Sequence, residues 1–534
     1  MNASANGGRK PVSDQYELYL KDESRFSGKA EEIAFPVDAA QVENALRYMT
    51  ASKTPLTVQG ARTGIAGAAT PARGGILSMI KMDSITQLSV DDEDRFYVTV
   101  DPGVPLSELT HCLTRKNFDT RGWDAGSKDA LARLKRAPAQ FFPPDPTETT
   151  AALGGLFACN AQGLSAYRYG GMAEHVQSVT LALPDGRSWK IVRGEHLFDA
   201  NGVTLPDGRR LNVNPIRARP ICRCPVPREK MDLLDLIAGS EGMLGIVTNL
   251  TLRLAPAPLV RWGILFFFSE LSQALAFSQT VVAERGDSAS VEAVEFFDRA
   301  SLDLVEELKT NTTQLRVVPE ISSGHQAAVY VQLSARNSDI MEETLLSLLD
   351  TFAAHGGNEN DAWAAEGEDE MQKFKMFRHA VPEAANARID DICRNCPGVH
   401  KMSTDFTTPL DRLEEAAVMY RSGMEESGVS GAVFGHAAIG RLHVNLFPET
   451  LGQVEEAQAL IDAWARNAIA MGGRLADENG VGKIKRNLLR YMPEEELQAA
   501  RAVKNFFDPD GLLNPDNMFP DNMFPDNMFP PGMS

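Results

Sequence analysis

Residues 55–75, PLTVQGARTGIAGAATPARGG, constrain the fold more than any other stretch. An apolar, strand-like run at 55–58 leads directly into a loop carrying Gly60, Gly64, Gly67, Gly74 and Gly75. With no Cβ atoms in the way, such a loop can bring several backbone N–H groups against a diphosphate. Glycines also make ordinary turns, so the loop gains meaning from two later segments of the chain. PDPTETTAALGGLFACNAQG occupies 144–163, and GSEGMLGIVTNLTLRL occupies 239–254.

Length and composition bound the class. A chain of 534 residues is too long for one hydrophobic core, so two or three domains are expected. A hydrophobic content of 43% with 23% charged residues describes a soluble globular protein. The net charge of −19, from 53 basic and 72 acidic residues, disfavours nucleic acid as a partner. A small anionic substrate would need a local cluster of Arg, Lys or metal to reverse that field. Six cysteines do not suggest a secreted disulfide framework, and residues 1–12 lack the apolar core of a signal peptide. GILFFF at 263–268 is strand-length rather than membrane-spanning. A cytoplasmic protein is expected, with peripheral membrane docking left open.

Along the chain, Val42, Ala45, Leu46 and Met49 fall at helical spacing and predict a helix over 38–52. Strands are expected at 98–100, 176–183 and 246–254, and a helix at 106–114. Ala255-Pro256-Ala257-Pro258 stops the last of these strands, and a domain boundary is placed there. From 259 to 475, strands such as 329–333 alternate with amphipathic helices over 342–352 and 410–427, an α+β substrate domain. Residues 476–515 are expected to return to the first domain. The tail repeats DNMFP at 516–520, 521–525 and 526–530, and 516–534 is expected to be disordered, with a sticky Met/Phe-rich peptide as the alternative.

The three ordered segments resemble the FAD-binding half of the p-cresol methylhydroxylase/vanillyl-alcohol oxidase superfamily. The branch they resemble is that of the D-lactate, glycolate and D-2-hydroxyglutarate dehydrogenases, and the resemblance runs from about residue 19 to residue 519. Their loops read roughly RGGGTSLTGG, GG-x4-NAGG and GSEGTLGI. The resemblance implies a two-subdomain, α+β FAD-binding domain over 1–258 and an α+β cap with an antiparallel sheet over 259–475. It places non-covalent FAD against Gln59, Gly60, Ala61, Arg62, Thr63 and Gly64, then Gly154, Gly155 and Asn160, then Glu241, Gly242 and Ile246, and finally Asn514. Gln59 stands where an arginine is usual and Arg62 where a glycine is usual. Ala152 replaces a threonine, and Gln162 replaces a glycine.

FGHAAIGRLHVNLFP at 434–448 resembles the same family's GHxGDGNLHxN. The match implies His436 and His443 as metal ligands, joined by Glu478 of ADENGVGKIK. Two imidazoles and a carboxylate suit a divalent, zinc-like ion with positions open for substrate. Chelation would acidify the hydroxyl of a 2-hydroxy acid. Arg378 matches the family's carboxylate-binding arginine, Asn445 its asparagine, and Lys485 the lysine of its GxGxxK run. Lys401 lies about two positions from the family's lysine. Asn479 stands where the family has its histidine base, and asparagine accepts no proton near neutral pH. His379 and His400 are the candidate replacements. GDGN has become Ala438-Ile439-Gly440-Arg441, and the pairs Cys222/Cys224 and Cys393/Cys396 read as free thiols.

The implied activity is oxidation of a D-2-hydroxy acid (lactate, glycolate or 2-hydroxyglutarate class) to the 2-oxo acid, with hydride passing to FAD. Electrons would continue to a quinone, cytochrome or iron–sulfur partner, and a homo-oligomer is expected. The alternatives are a different donor, such as a phenol or alcohol, and a flavin-carrying subunit of an electron-transfer complex.

Overall fold

In the computed structural model, residues 8–283 and 289–519 are described. Three sheets position the site. The first has the order Lys10–Pro11, Glu32–Ala34, Gly75–Ser78, Leu56–Gln59, and its last three strands run parallel. Parallel strands need a crossover, and the helix Ala39–Ser52 makes the one from Glu32–Ala34 to Leu56–Gln59, on either side of Gly75–Ser78. Asp38 caps that helix by accepting from the Gln41 N–H, and Val42, Leu46 and Met49 are its buried face.

The second sheet is antiparallel, ordered Ile85–Val90, Phe96–Val100, Ile246–Arg253, Val176–Ala182, Ser188–Val192. In its central strand Ile246, Thr248, Leu250 and Leu252 are buried in alternation. That alternation is the period of a pleated strand covered on one face.

The third sheet is the cap. Its seven antiparallel strands are ordered Ala362–Glu366, Val260–Phe268, Ala327–Ala335, Ser290–Asp298, Gly431–His436, Arg441–Leu446, Met402–Thr407. The continuous apolar run at 263–268 is explained by helices on both faces. Phe266 and Phe268 pack with Phe277 of Leu271–Ala283 and Phe352 of Ser338–Ala354. Leu265 and Phe267 join the cluster of Phe374 and Phe377 on the helix Gly367–Asn395. This 29-residue helix, which carries Arg378, contains Pro382 and is not among the helices that the apolar spacing predicts.

The C-terminal segment pairs with the first sheet: Leu56 N–H donates to Leu512 O and Asn514 N–H to Leu56 O, each at 2.8 Å. Residues 516–519 of the first DNMFP copy are packed, contrary to the expectation of disorder from 516 onward. Met518 is 0% exposed, and its N–H donates to Gly482 O at 3.0 Å. Asn517 bonds Ala68 O at 3.1 Å. The second and third copies lie outside the described residues. Among the described residues, no helix is long and apolar enough to cross a membrane.

Candidate active site

A cavity of about 730 Å³ lies between the glycine loops and the cap sheet. On one side it is lined by Gly60, Ala61, Arg62, Thr63 and Gly64, by Gly154 and Gly155, by Glu241, Gly242 and Ile246, and by Asn514. A Cβ added at Gly64 or Gly155 would meet nothing within 4 Å, so bare backbone there faces open space. Gly154 is needed for another reason: its Cβ would collide with Pro102, 2.5 Å away. This cradle fits an extended dinucleotide such as FAD, whose diphosphate is recognised by main-chain N–H groups.

The cradle is held in shape by buried side chains. Glu241 accepts from Val481 N–H at 2.6 Å and Gly482 N–H at 3.0 Å, tying the third loop to the segment after Glu478. Asn514 accepts from Val58 N–H at 2.7 Å and donates to Glu241 O. The Arg62 guanidinium lies 4.1 Å over the Tyr19 ring at the cavity wall.

Opposite the cradle, the cap sheet's register assembles a charged cluster. Glu295 is the cross-strand partner of His436, and His443 faces both Phe434 and Asp405. His436 Nε2 and His443 Nε2 lie 3.3 and 3.2 Å from the two Glu478 oxygens. The three ligand atoms of His436, His443 and Glu478 are within 4.8 Å of one another. The second ring nitrogen of His436 contacts Glu295 at 2.5 Å, the arrangement by which carboxylates orient metal-binding imidazoles. The donor set therefore fits a divalent, zinc-like ion. Burial opposes charge on His436, yet the Glu295 and Glu478 carboxylates raise it to about 10. Burial likewise opposes the Glu478 charge, and His436, His443 and Arg441 hold its carboxyl well below the ordinary range.

Arg378 lines the cavity, and its buried Nε has no hydrogen-bond partner, with Glu295 Oε2 4.0 Å away. A buried guanidinium with an unused donor is a docking point for a carboxylate. Asn445, Ser403 and Lys401 line the same side. Lys401 is 7% exposed and donates to Asn386 Oδ1 at 2.6 Å, and burial lowers it to about 8.

Three expected site residues do not reach the cavity. Gln59 is fully buried and spends its amide on Tyr19 O and Ala69 O, both at 2.7 Å, bracing the loop from behind. Asn160 ends the helix Leu153–Cys159 in a left-handed conformation and accepts from Ala173 N–H at 2.9 Å. Lys485 bonds Asp405 Oδ1 at 2.7 Å. Asn479 lines the cavity, with its N–H fixed by Asp405 Oδ2 at 2.7 Å. Of the candidate bases, His379 lines the cavity but burial and Arg378 lower it to about 4, while His400 is not on the wall. Neither cysteine pair reaches the wall, and all six cysteines are free.

Glu295 and Asp477, which no sequence motif singles out, complete the cluster with Asp405 and, in a structural role, with Arg441 from the altered GDGN run. Asp405 is fully buried and accepts from the Glu478 and Asn479 N–H groups at 3.0 and 2.7 Å. Asp405 opens the stretch 405–409 that resembles the family's D-x-x-x-P segment, but that match says nothing of its contacts; the register opposite His443 reveals them.

Residues 30–129 match the family described as "FAD binding domain", and residues 258–518 match "FAD linked oxidases, C-terminal domain". A probable mitochondrial D-lactate dehydrogenase of Danio rerio is 26% identical over 490 residues, 90% of this chain and 83% of its own. D-lactate dehydrogenase of Anaerostipes hadrus is 25% identical over 517 residues, covering 93% and 92%. Glycolate oxidase subunit GlcD of Bacillus subtilis is 23% identical over 508 residues, covering 93% and 90%. Among solved structures, an alkyldihydroxyacetonephosphate synthase superposes with a TM-score of 0.59 at 13% identity, covering 95% of this chain and 83% of that one, and so shares the fold.

Proposed function

The chain belongs to the FAD-linked oxidases, and from that premise we propose that it oxidises a D-2-hydroxy acid to the 2-oxo acid. The observation that carries this reading is the convergence in one cavity of a bare-backbone cradle, the His436/His443/Glu478 cluster and the Arg378 guanidinium, whose Nε makes no hydrogen bond.

Arg378 binds the substrate carboxylate and fixes its orientation. Asn445 offers a hydrogen bond beside it. Glu295 holds the His436 ring in place, and Asp405 holds the backbone that presents Glu478 and Asn479. FAD, bound along the cradle, supplies the acceptor for the hydride from C2. A divalent ion held by His436, His443 and Glu478 would supply Lewis acidity toward the hydroxyl. Asn479 takes no proton, so the hydroxyl proton passes to the neutral His379 imidazole on the cavity wall or to water. Electrons then leave to a separate quinone, cytochrome or iron–sulfur partner.

The test is the visible spectrum of the purified protein, titrated anaerobically with D- and L-lactate, glycolate, malate and 2-hydroxyglutarate. Flavin bands that bleach with one D-enantiomer, or with glycolate, establish the activity and its donor. Bands that stay oxidised with all of them remove the hydroxy-acid reading. One contact favours a second reading, a phenol or other alcohol oxidised without metal: Arg441 Nη1 already lies 3.2 Å from Glu478 Oε2. Bleaching by such an alcohol after chelator treatment would establish it.

A further inference from the structure

Two residues that depart from the family resemblance meet in space. Gln162, where a glycine is usual, accepts from Arg441 Nη1 at 2.8 Å, and Arg441 stands where the GDGN run is lost. The same Nη1 lies 3.2 Å from Glu478 Oε2, the oxygen that faces His443 Nε2. Arg441 is 1% exposed and its guanidinium is fully engaged: Nε donates to Thr407 Oγ1 at 3.1 Å and Nη2 to Asp477 Oδ2 at 2.7 Å. It therefore cannot swing away from Glu478 without leaving several buried partners unpaired, at a large cost.

Burial opposes the Arg441 charge, but Glu478, Asp477 and Asp405 hold the guanidinium ionised beside the two histidines. A divalent ion entering here is repelled by the guanidinium, and it must share a carboxylate that Arg441 already holds through one of its two oxygens. In a buried, low-dielectric setting both effects are amplified relative to water.

We infer that Arg441, seated by Gln162, is a positioning residue that holds Glu478 and keeps the His436/His443/Glu478 site at low affinity for divalent metal, so that the ion exchanges instead of residing. This rests on the reading of those three residues as a metal site. It assigns a shared purpose to two substitutions, on two different domains, that the motif comparison leaves as unrelated losses.

The experiment is equilibrium zinc binding to the full-length, flavin-loaded protein, read by competition with a chromophoric chelator, with activity playing no part. Arg441→Met removes the charge and keeps the length, and zinc should bind at least tenfold tighter. Arg441→Lys keeps the charge and should bind as the wild type does, which a merely structural role for the arginine would not produce. Gln162→Glu leaves Arg441 in place but offers it a competing carboxylate, and should tighten zinc by a smaller factor; it serves if Arg441→Met does not fold. His436→Ala should abolish the binding in every background, which locates the ion. Zinc affinity unchanged or weaker in folded Arg441→Met or Gln162→Glu overturns the role of Arg441 while leaving the metal site standing. Absence of zinc from wild type and all variants overturns the metal reading itself, and the inference with it.

Discussion

Gly64 and Gly155 present bare backbone to one wall of the cavity, whereas His436, His443, Glu478 and Arg378 present polar side chains to the other, with Arg441 buried behind Glu478. On the cradle side the side chains work from behind. Gln59, Glu241 and Asn514 bond main-chain atoms and keep the loops in shape. On the cap side the side chains themselves form the cavity surface. A cradle read by backbone shape tolerates a change such as arginine to glutamine at 59, because the substituted residue need only brace the loop. In a cluster read by charge, one change at 441 rewires the carboxylate that two histidines share.

That contrast is sharpened most by Arg378→Ala. If recognition on the cap side is charge-based, kcat/KM should fall by about 1,000-fold, about 4 kcal/mol, from loss of a desolvated guanidinium–carboxylate pair. Flavin content, set by the cradle, should be unchanged in the absorbance ratio of the purified variant. Loss of flavin together with activity would break the separation of the two walls.

The same contrast explains what could be read in advance. The helix Ala39–Ser52, the strand Ile246–Arg253 and the cradle glycines were legible because periodicity and missing Cβ atoms are local properties. His436, His443 and Glu478 could be paired by motif, and the structure brings them together. Glu295 carries no motif, and the match at 405–409 marks Asp405 without its contacts, because both roles come from folding across the cap sheet, 141 residues from His436 in the one case and 73 from Glu478 in the other. The helix Gly367–Asn395 was missed because Pro382 and the polar run around it interrupt the apolar pattern. Gln59 was misplaced because alignment gives a position in the chain but not the direction a side chain takes from it.

Two lysines, one beside each wall, carry the comparison into pH dependence. Burial lowers both Lys401, on the cap side, and Lys483, behind the cradle, to about 8 from the ordinary 10.5. Between those values the unfolded chain binds more protons than the folded one, so each lysine makes stability rise with pH across that window. Below about pH 8 the cost of burying the charge is fully present. Lys401→Met should relieve about 2–3 kcal/mol of it at neutral pH and nothing above pH 10.5, in denaturant midpoints measured across the range. An equal gain at both ends would assign the effect to packing rather than to charge.

A smaller effect is expected from restoring a proton acceptor. Asn479 is held by Asp405 on the cavity wall, so Asn479→His places an imidazole there without moving the backbone. If the base is simply absent, kcat should rise about 10–100-fold and acquire a limb in its pH profile near the histidine range. A fall would show that the cap-side cluster has been rebuilt around the asparagine, as Gln162 and Arg441 suggest.

The smallest effect should come from the largest deletion. The three DNMFP copies are identical, so composition cannot say which of them the fold uses; the first is seated through residue 519. Asp516 pairs with Arg73 at 3.0 Å, and Met518 fills the core beside Leu488 and Met492. Asn517 bonds the cradle loop at Ala68 O. Ending the chain after residue 520 keeps all of these contacts, so midpoint, flavin content and kcat should stay within about 0.5 kcal/mol of the full chain. Ending it after residue 515 empties a buried site against the cradle and should loosen flavin before it affects the substrate side. An internal deletion of residues 516–520 should behave like the first truncation and unlike the second, because it brings an identical copy into the same register. If it behaves like the second, the seat depends on more than the five residues that repeat.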